Sequence, residues 1–228
     1  MAQPYIAVIF DMDGLIFDTE PLYRAAWQIA ARKCGYELTD EIYLRLIGLG
    51  RTGSEAVLAA EFGVGFSPER FRNECKAAEF DVLDATPAKE KPGFRELLAY
   101  LENHGVPRAL ATSTDRAVAD RHLKHAGLMN RFAAIVAGDE VRHAKPAPDL
   151  YLLAAEKLGV DPVRCLVLED SAPGVEAARR AGMAVFVVPD QIAPTPEVQQ
   201  TAAGVFSTLF EVKTHVENLS DFEQNVVT

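Results

Sequence analysis

The sequence predicts an α/β fold: a doubly wound parallel sheet carrying an inserted, all-helical cap domain. Three observations lead there. Short apolar, β-branched runs recur without polar alternation, glycine-punctuated helical stretches separate them, and one interval, residues 19–85, shows helical periodicity alone. Strands covered on both faces read as near-continuous apolar runs. Strands alternating with helices through short links build a parallel, doubly wound sheet.

The elements follow in order. Residues 5–10 form the first apolar run, which stops at Asp11; similar runs occupy 106–111, 132–137, 164–168, 184–188 and 204–207. After Pro92, the residues Phe94, Leu97, Leu98 and Leu101 fall at i, i+3, i+4 and i+7, one face of a helix. Pro92 suits the first turn of that helix, and Gly105 suits the left-handed residue just past its end. Gly127, Gly159 and Gly182 repeat the same punctuation before later strands. Within the insert, helices are expected over 21–34, 42–47, 53–62 and 68–83, with the return link at 86–92. The domains are then 1–18 with 86–228 for the sheet, and 19–85 for the cap. An insert after the first strand lies over its C-terminal end, where open α/β sheets bind ligands.

At 228 residues, the chain buries roughly 70–75% of its unfolded surface, enough for a main domain and a smaller one. Its 33 acidic against 23 basic residues, a net charge of −10, argue against a nucleic acid or an anionic membrane surface as partner. A local anion pocket remains compatible with that balance. No apolar run reaches the ~18–20 residues of a membrane span, and no basic, apolar leader opens the chain. The three cysteines, Cys34, Cys75 and Cys165, are odd in number and outside any C-x-x-C pattern. A reduced, cytoplasmic protein that uses them for packing is the expectation. Monomer and homodimer are equally compatible with the sequence.

The chemistry starts at D-M-D-G-L-I-F-D-T, residues 11–19. If Asp11 ends a strand, Asp11 and Asp13 project into one cleft while Gly14 permits a tight turn. Two neighbouring carboxylates repel unless a cation or a shared proton relieves them, so the pair implies a metal site, an acid/base pair, or both. A solvated acidic turn is the plain alternative. Further pieces then collect at corresponding places: Thr112 and Ser113 after the 106–111 run, Lys145 in the turn H-A-K-P-A-P-D, and Glu169 and Asp170 after C-L-V-L. Singly these read as a helix cap, a surface lysine and a loop pair. Together, a parallel sheet gathers them at one edge, where a hydroxyl and a lysine can hold phosphoryl oxygens and the hard oxygens of Asp11 and Asp170 suit Mg²⁺.

The ordered set Asp11-x-Asp13-Gly14, Asp18-Thr19, Thr112, Lys145-Pro146-Ala147-Pro148-Asp149 and Leu168-Glu169-Asp170-Ser171-Ala172-Pro173-Gly174-Val175 resembles the haloacid dehalogenase superfamily. It is most similar to the β-phosphoglucomutase-like branch of phosphatases and phosphomutases, over essentially the whole chain. The resemblance implies that Asp11 is the nucleophile and Asp13 the acid and base. It also implies that Asp11, Asp13 (through its carbonyl), Asp170 and the adjacent Glu169 serve the metal. Thr112, the Ser113 amide and Lys145 would cradle the phosphoryl group. Asp13 favours phosphoryl transfer, since dehalogenating members lack that aspartate. Tyr23 stands where the branch's mutases carry a hinge histidine, which favours hydrolysis over isomerisation.

Other signals are weaker. Gly48-Leu49-Gly50-Arg51-Thr52-Gly53 matches G-x-G-x-x-G, but it follows helical sequence inside the insert, the wrong context for a dinucleotide site. Similar caps meet substrate with a basic residue on a glycine-rich loop, which makes Arg51 a substrate-binding candidate beside its plain reading as a surface arginine. Lys76 is a lesser one. His122 and His125, at i and i+3 without a matching cysteine or carboxylate, read as packing or surface histidines. His143 sits near Lys145 and is open to either reading, and Trp27 is read as core. The expected activity is that of a Mg²⁺-dependent phosphatase of a small phosphorylated metabolite, with a phosphomutase as the alternative. A phospho-receiver domain fits poorly, because one D-x-D turn here supplies roles that receivers spread over separate strands.

Overall fold

A computed structural model describes residues 5–49 and 51–218. The chain runs β1 (Ala7–Phe10), β2 (Phe17–Asp18), α1 (Glu20–Cys34), α2 (Asp40–Leu44), α3 (Arg51–Phe62), α4 (Pro68–Ala85) and β3 (Lys89–Glu90). It continues through α5 (Phe94–Asn103), β4 (Arg108–Ala111), α6 (Arg116–His125), β5 (Ala134–Val136), α7 (Asp149–Leu158), β6 (Cys165–Glu169) and α8 (Ala172–Arg180). The last elements are β7 (Ala184–Val187), α9 (Pro196–Thr201), β8 (Gly204–Val205) and α10 (Leu209–Asn218).

Six of these strands form one parallel sheet in the order β5-β4-β1-β6-β7-β8. The first strand in sequence is central, and the order reverses around it, which opens a crevice at the strands' C-terminal ends. Register places Phe10 beside both Leu110 and Leu168. Asp11, just past the end of β1, therefore stands level with Ala111 and Glu169, the last residues of β4 and β6. The backbone N–H of Asp11 donates to the Leu168 carbonyl at 3.0 Å and extends that register by one residue.

Alternation along the strands divides the core. Ala7 and Ile9, Ala109 and Ala111, and Cys165 and Val167 face one layer, with Leu150, Tyr151 and Ala154 of α7 and Val175 and Ala178 of α8. Phe10, one residue out of phase, meets Phe94 of α5 and Phe132 edge-on at 6.0 and 5.9 Å. Each large apolar side chain so buried contributes about 1.5–3 kcal/mol relative to exposure.

The chain divides into two compact units: Met1–Asp18 with Lys89–Thr228, and Thr19–Ala88. The second contains α1 to α4. Its core sets Trp27 edge-on to Tyr43 and Phe71, at 6.0 and 5.7 Å, and stacks Tyr36 on Phe62 at 4.5 Å. Trp27 is thus a packing residue. Thr39 and Ser67 cap α2 and α4 by accepting bonds from Ile42 N and Arg70 N. The three cysteines are free thiols, Cys75 and Cys165 buried. Among the described residues, no helix is long and apolar enough to cross a membrane.

Two local features depart from the sequence reading. The return link holds a strand: β3 pairs antiparallel with β2, Phe17 opposite Glu90 and Asp18 opposite Lys89. Pro92 lies outside α5, because left-handed Gly93 is its N-cap. A side chain at Gly93 would strike the backbone of Leu209 and Phe210, so the glycine is required by the seating of α10.

Candidate active site

The turn after β1 closes on itself. Ile16 N and Phe17 N both donate to the Met12 carbonyl, at 2.9 and 3.0 Å, and Gly14 N donates to Phe17 O at 2.8 Å. Gly14 has φ +79°, and a side chain there would run into the Asp170 carboxylate. The glycine thus meets both a conformational and a steric demand.

Asp11, 5% exposed, accepts a bond at Oδ1 from the Lys145 ammonium. Lys145 also donates to Glu169 Oε1 at 2.6 Å, and its Nζ lies 5.0 Å from the centre of the Tyr151 ring. Burial works against the lysine's charge, but Asp11 and Glu169 outweigh it and hold the ammonium charged. Glu169 ends β6 and is fully buried. Its Oε1 accepts from Lys145 and from the Tyr151 hydroxyl at 2.7 Å, and its Oε2 accepts from Asp170 N, Ser171 N and Ser171 Oγ at 2.9, 2.8 and 2.9 Å. Burial opposes this carboxylate too, yet the Lys145 charge and these donors keep it below the ordinary range.

Asp11 itself is pushed up to about 8, by burial first and by Glu169 and Asp13 next, against the opposing pull of Lys145. Asp170 is pushed up to about 10 by burial and by the charges of Glu169, Asp11 and Asp190. One oxygen each from Asp11, Glu169 and Asp170 lies within 4.8 Å of the others, a group able to hold a metal ion. Hard oxygen donors of excess negative charge suit a divalent cation. Glu169 is the least available of the three, since both its oxygens already accept hydrogen bonds.

Asp13 is held differently. Its Oδ2 accepts from Thr114 Oγ1 at 2.7 Å and from Thr112 Oγ1 at 3.1 Å. The loop bearing these hydroxyls is fixed by Thr112 N donating to Val136 O and Gly138 N to Thr114 O, at 3.0 and 2.9 Å. A side chain at Gly138 would strike the Ser113 carbonyl. Ser113 itself is exposed.

A sequence model described as haloacid dehalogenase-like hydrolase matches residues 5–182. The chain belongs to that family. This haloacid dehalogenase-like hydrolase is 38% identical over 177 residues to the phosphorylated carbohydrates phosphatase of Thermotoga maritima, covering 78% of this chain and 82% of that one. It is 35% identical over 185 residues to the fructose-1-phosphate phosphatase YqaB of Escherichia coli, covering 80% and 96%. Among solved structures, CbbY from Rhodobacter sphaeroides in complex with phosphate has a TM-score of 0.79 at 25% identity, covering 91% of this chain and 96% of that one. The β-phosphoglucomutase of Clostridium difficile has a TM-score of 0.76 at 26% identity, covering 93% and 95%.

In this haloacid dehalogenase-like hydrolase, Asp11, Asp13, Thr112, Lys145, Glu169 and Asp170 come together as the spacing of their motifs suggests. His143 does not join them; its Nδ1 lies 2.9 Å from Asp149 Oδ1 on an exposed surface. His122 is buried and stacks on Phe17 at 5.5 Å, a packing role, while His125 is exposed. Arg51 opens α3, but its side chain, like all of Gly50, lies outside the described residues. Lys76 is exposed on α4. Helix α2, not a strand, precedes the glycine-rich segment, in keeping with the rejection of a dinucleotide site.

Two site residues escaped the sequence reading. Thr114 follows Thr112 by two, the spacing that returns a side chain to the same side of an extended segment, so T-S-T carried a usable signal. Tyr151 carried none: an aromatic on a helix's apolar face reads as core, and only the fold shows its hydroxyl on Glu169.

Proposed function

We propose that this chain is a Mg²⁺-dependent phosphatase that hydrolyses a small phosphorylated metabolite, a sugar phosphate or related organic phosphate, through an aspartyl-phosphate on Asp11. One observation carries the reading. The two carboxyls of a single turn have opposite kinds of partner: an ammonium grips Asp11, whereas hydroxyls hold Asp13. The first arrangement suits a nucleophile, the second a group that gives and takes a proton.

In this reading an Asp11 oxygen attacks phosphorus while the ester P–O bond breaks, and Asp13 hands its proton to the departing oxygen. Asp13 then takes a proton from water, whose oxygen attacks the same phosphorus and returns Asp11 as a carboxylate with release of phosphate. Lys145, Thr112 and the Ser113 amide bind the phosphoryl oxygens, whose charge is the main quantity to stabilise. Asp11 and Asp170, with the Asp13 carbonyl, would hold Mg²⁺, and Glu169 would anchor Lys145 beside them. Bound there, the cation supplies charge that keeps Asp11 ionised at neutral pH. The inserted helical unit, read as residues 19–85, would select the substrate, with Arg51 as one contact. The two phosphatases named above support a carbohydrate phosphate as the substrate class.

The test is phosphate release from a panel of sugar phosphates with Mg²⁺ or EDTA, beside Asp11→Asn. Cation-dependent release that the variant lacks is the expected result. Equal release from both proteins would overturn the nucleophile. Conversion of a hexose 1-phosphate into its 6-phosphate isomer with little free phosphate would replace hydrolysis by mutase activity.

A further inference from the structure

Outside the ligand set, one more carboxylate borders the D-x-D-G turn. Asp190 follows β7, and its Cβ lies 3.2 Å from where a side chain on Gly14 would begin, the same space that the Asp170 carboxylate borders. Its Oδ1 accepts from Lys91 Nζ at 2.5 Å and from Gln191 Nε2 at 3.2 Å. The pair is largely buried, with side-chain exposures of 22% for Lys91 and 8% for Asp190. Lys91 is itself tied to the turn, because its backbone N–H donates to the Ile16 carbonyl at 2.7 Å.

Shielding an ion pair from water carries a desolvation cost, and an apolar pair of the same volume would often be as stable. The position of this pair suggests what it does. The residue that carries its negative charge is the one whose Cβ borders Gly14, beside the Asp170 carboxylate, and that charge pushes the Asp170 carboxyl up. We propose that Asp190, fixed by Lys91, is a positioning and electrostatic determinant of divalent-cation affinity that acts on the Asp11–Asp170 site without being a ligand. Lys91 serves it in two ways: it neutralises most of the added charge, and it anchors the carboxylate to the backbone of the turn. The cation then meets the near, negative end of a fixed dipole. Charges held in a poorly solvated setting act over such distances far more strongly than in water.

The inference rests on the cation site proposed above, and the test separates the two. Mg²⁺ binding is measured by calorimetry, and Mn²⁺ binding by electron paramagnetic resonance, on the wild type, Asp190→Asn, Lys91→Gln and the double variant, each checked for folding by its thermal melt. Asp190→Asn leaves the Lys91 charge beside the site and should weaken binding about five- to tenfold. Lys91→Gln unmasks the carboxylate and should tighten binding about two- to fivefold, with the double variant in between. Damage to the turn would instead weaken binding in every variant, so weaker binding by folded Lys91→Gln overturns the proposal. Unchanged affinity in Asp190→Asn overturns it equally. A wild type that binds neither cation removes the cation site itself.

Discussion

Gly174 lies so close to the carboxylate of Glu169 that no side chain fits between them. It is the third residue of α8, where its N–H donates to the capping Ser171 hydroxyl at 3.2 Å. The helix start can therefore close on the acid that holds Lys145.

Replacing Gly174 with alanine sets two effects against each other. Helix propensity favours alanine by about 1 kcal/mol, whereas overpacking costs about 1–3 kcal/mol. The obstacle is a fully buried, multiply bonded carboxylate that has nowhere to go, so the steric cost wins. Gly174→Ala should melt roughly 2–6 °C lower and turn over at least tenfold more slowly, because displacing Glu169 displaces Lys145. Differential scanning calorimetry and initial rates check both; a variant that is more stable and fully active contradicts the account.

Tyr151→Phe isolates one hydrogen bond. The ring under Lys145 stays, while Glu169 loses one donor but keeps those of Lys145, Asp170 and Ser171. A loss near 1 kcal/mol is expected, which amounts to about a fivefold fall in kcat/KM. Tyr151→Ala would open a large cavity in the layer below the sheet and cost about 3–5 kcal/mol of stability. Steady-state kinetics on the first variant and urea denaturation on the second separate the bond from the packing.

Thr114 holds Asp13 more tightly than Thr112 does, at 2.7 against 3.1 Å. Hydroxyl-to-carboxylate bonds strengthen as they approach the shorter distance. Thr114→Val should therefore reduce kcat about tenfold with little change in KM, since it loosens the proposed proton donor Asp13 without removing a proposed phosphoryl contact. Thr114→Ser keeps the hydroxyl and should recover most of the rate. A change confined to KM would assign Thr114 to substrate binding instead.

The raised carboxyls set the pH behaviour of the cation-free protein. Asp170 keeps its proton up to about pH 10 and Asp11 up to about pH 8 in the folded chain, whereas both release it near pH 4 when unfolded. Their contribution to stability is therefore greatest in acid and declines as pH rises from about 4 through 8 and on to 10. Asp170→Asn removes one such group and should raise the melting temperature of the metal-free protein, by roughly 2–10 °C at pH 8 for a gain of about 1–3 kcal/mol. The gap should narrow toward pH 5. Mg²⁺ should stabilise the wild type increasingly with pH and leave the variant almost unchanged, as melts across pH 5–9 with and without Mg²⁺ would show.

How legible each residue was depends on whether a local pattern marks its role. The strands were readable because continuous apolar runs such as Cys165–Glu169 have few other uses, and Asp11, Lys145 and Glu169 follow from where those runs end. The β2–β3 pair was not readable. It is two residues long, and Asp18 meets Lys89 only because the intervening segment returns to its starting point, a closure that no local pattern records. Tyr151 was hidden for a related reason, since its purpose depends on Glu169 of β6, eighteen positions on; Gly174 stood in the motif of residues 168–175, but only the fold shows the Glu169 carboxylate against it. Asp190 and Lys91, ninety-nine positions apart, belong to no motif that would have joined them.

The Asp18–Lys89 pairing also bears on how such chains diversify. Residues on facing positions of an antiparallel ladder lie about 5 Å apart, so everything from Thr19 to Ala88 departs and returns through what is nearly a single point on the parent domain. A segment with adjacent ends can be lengthened, shortened or exchanged without altering the register of β1, β4 or β6. Loop-closure entropy penalises size only logarithmically, so even large replacements cost the sheet little. The β2–β3 pair therefore acts as a fixed point of attachment, and a graft that joins Asp18 to Lys89 through a two-residue turn should leave a foldable minimal domain on which other inserts can be built.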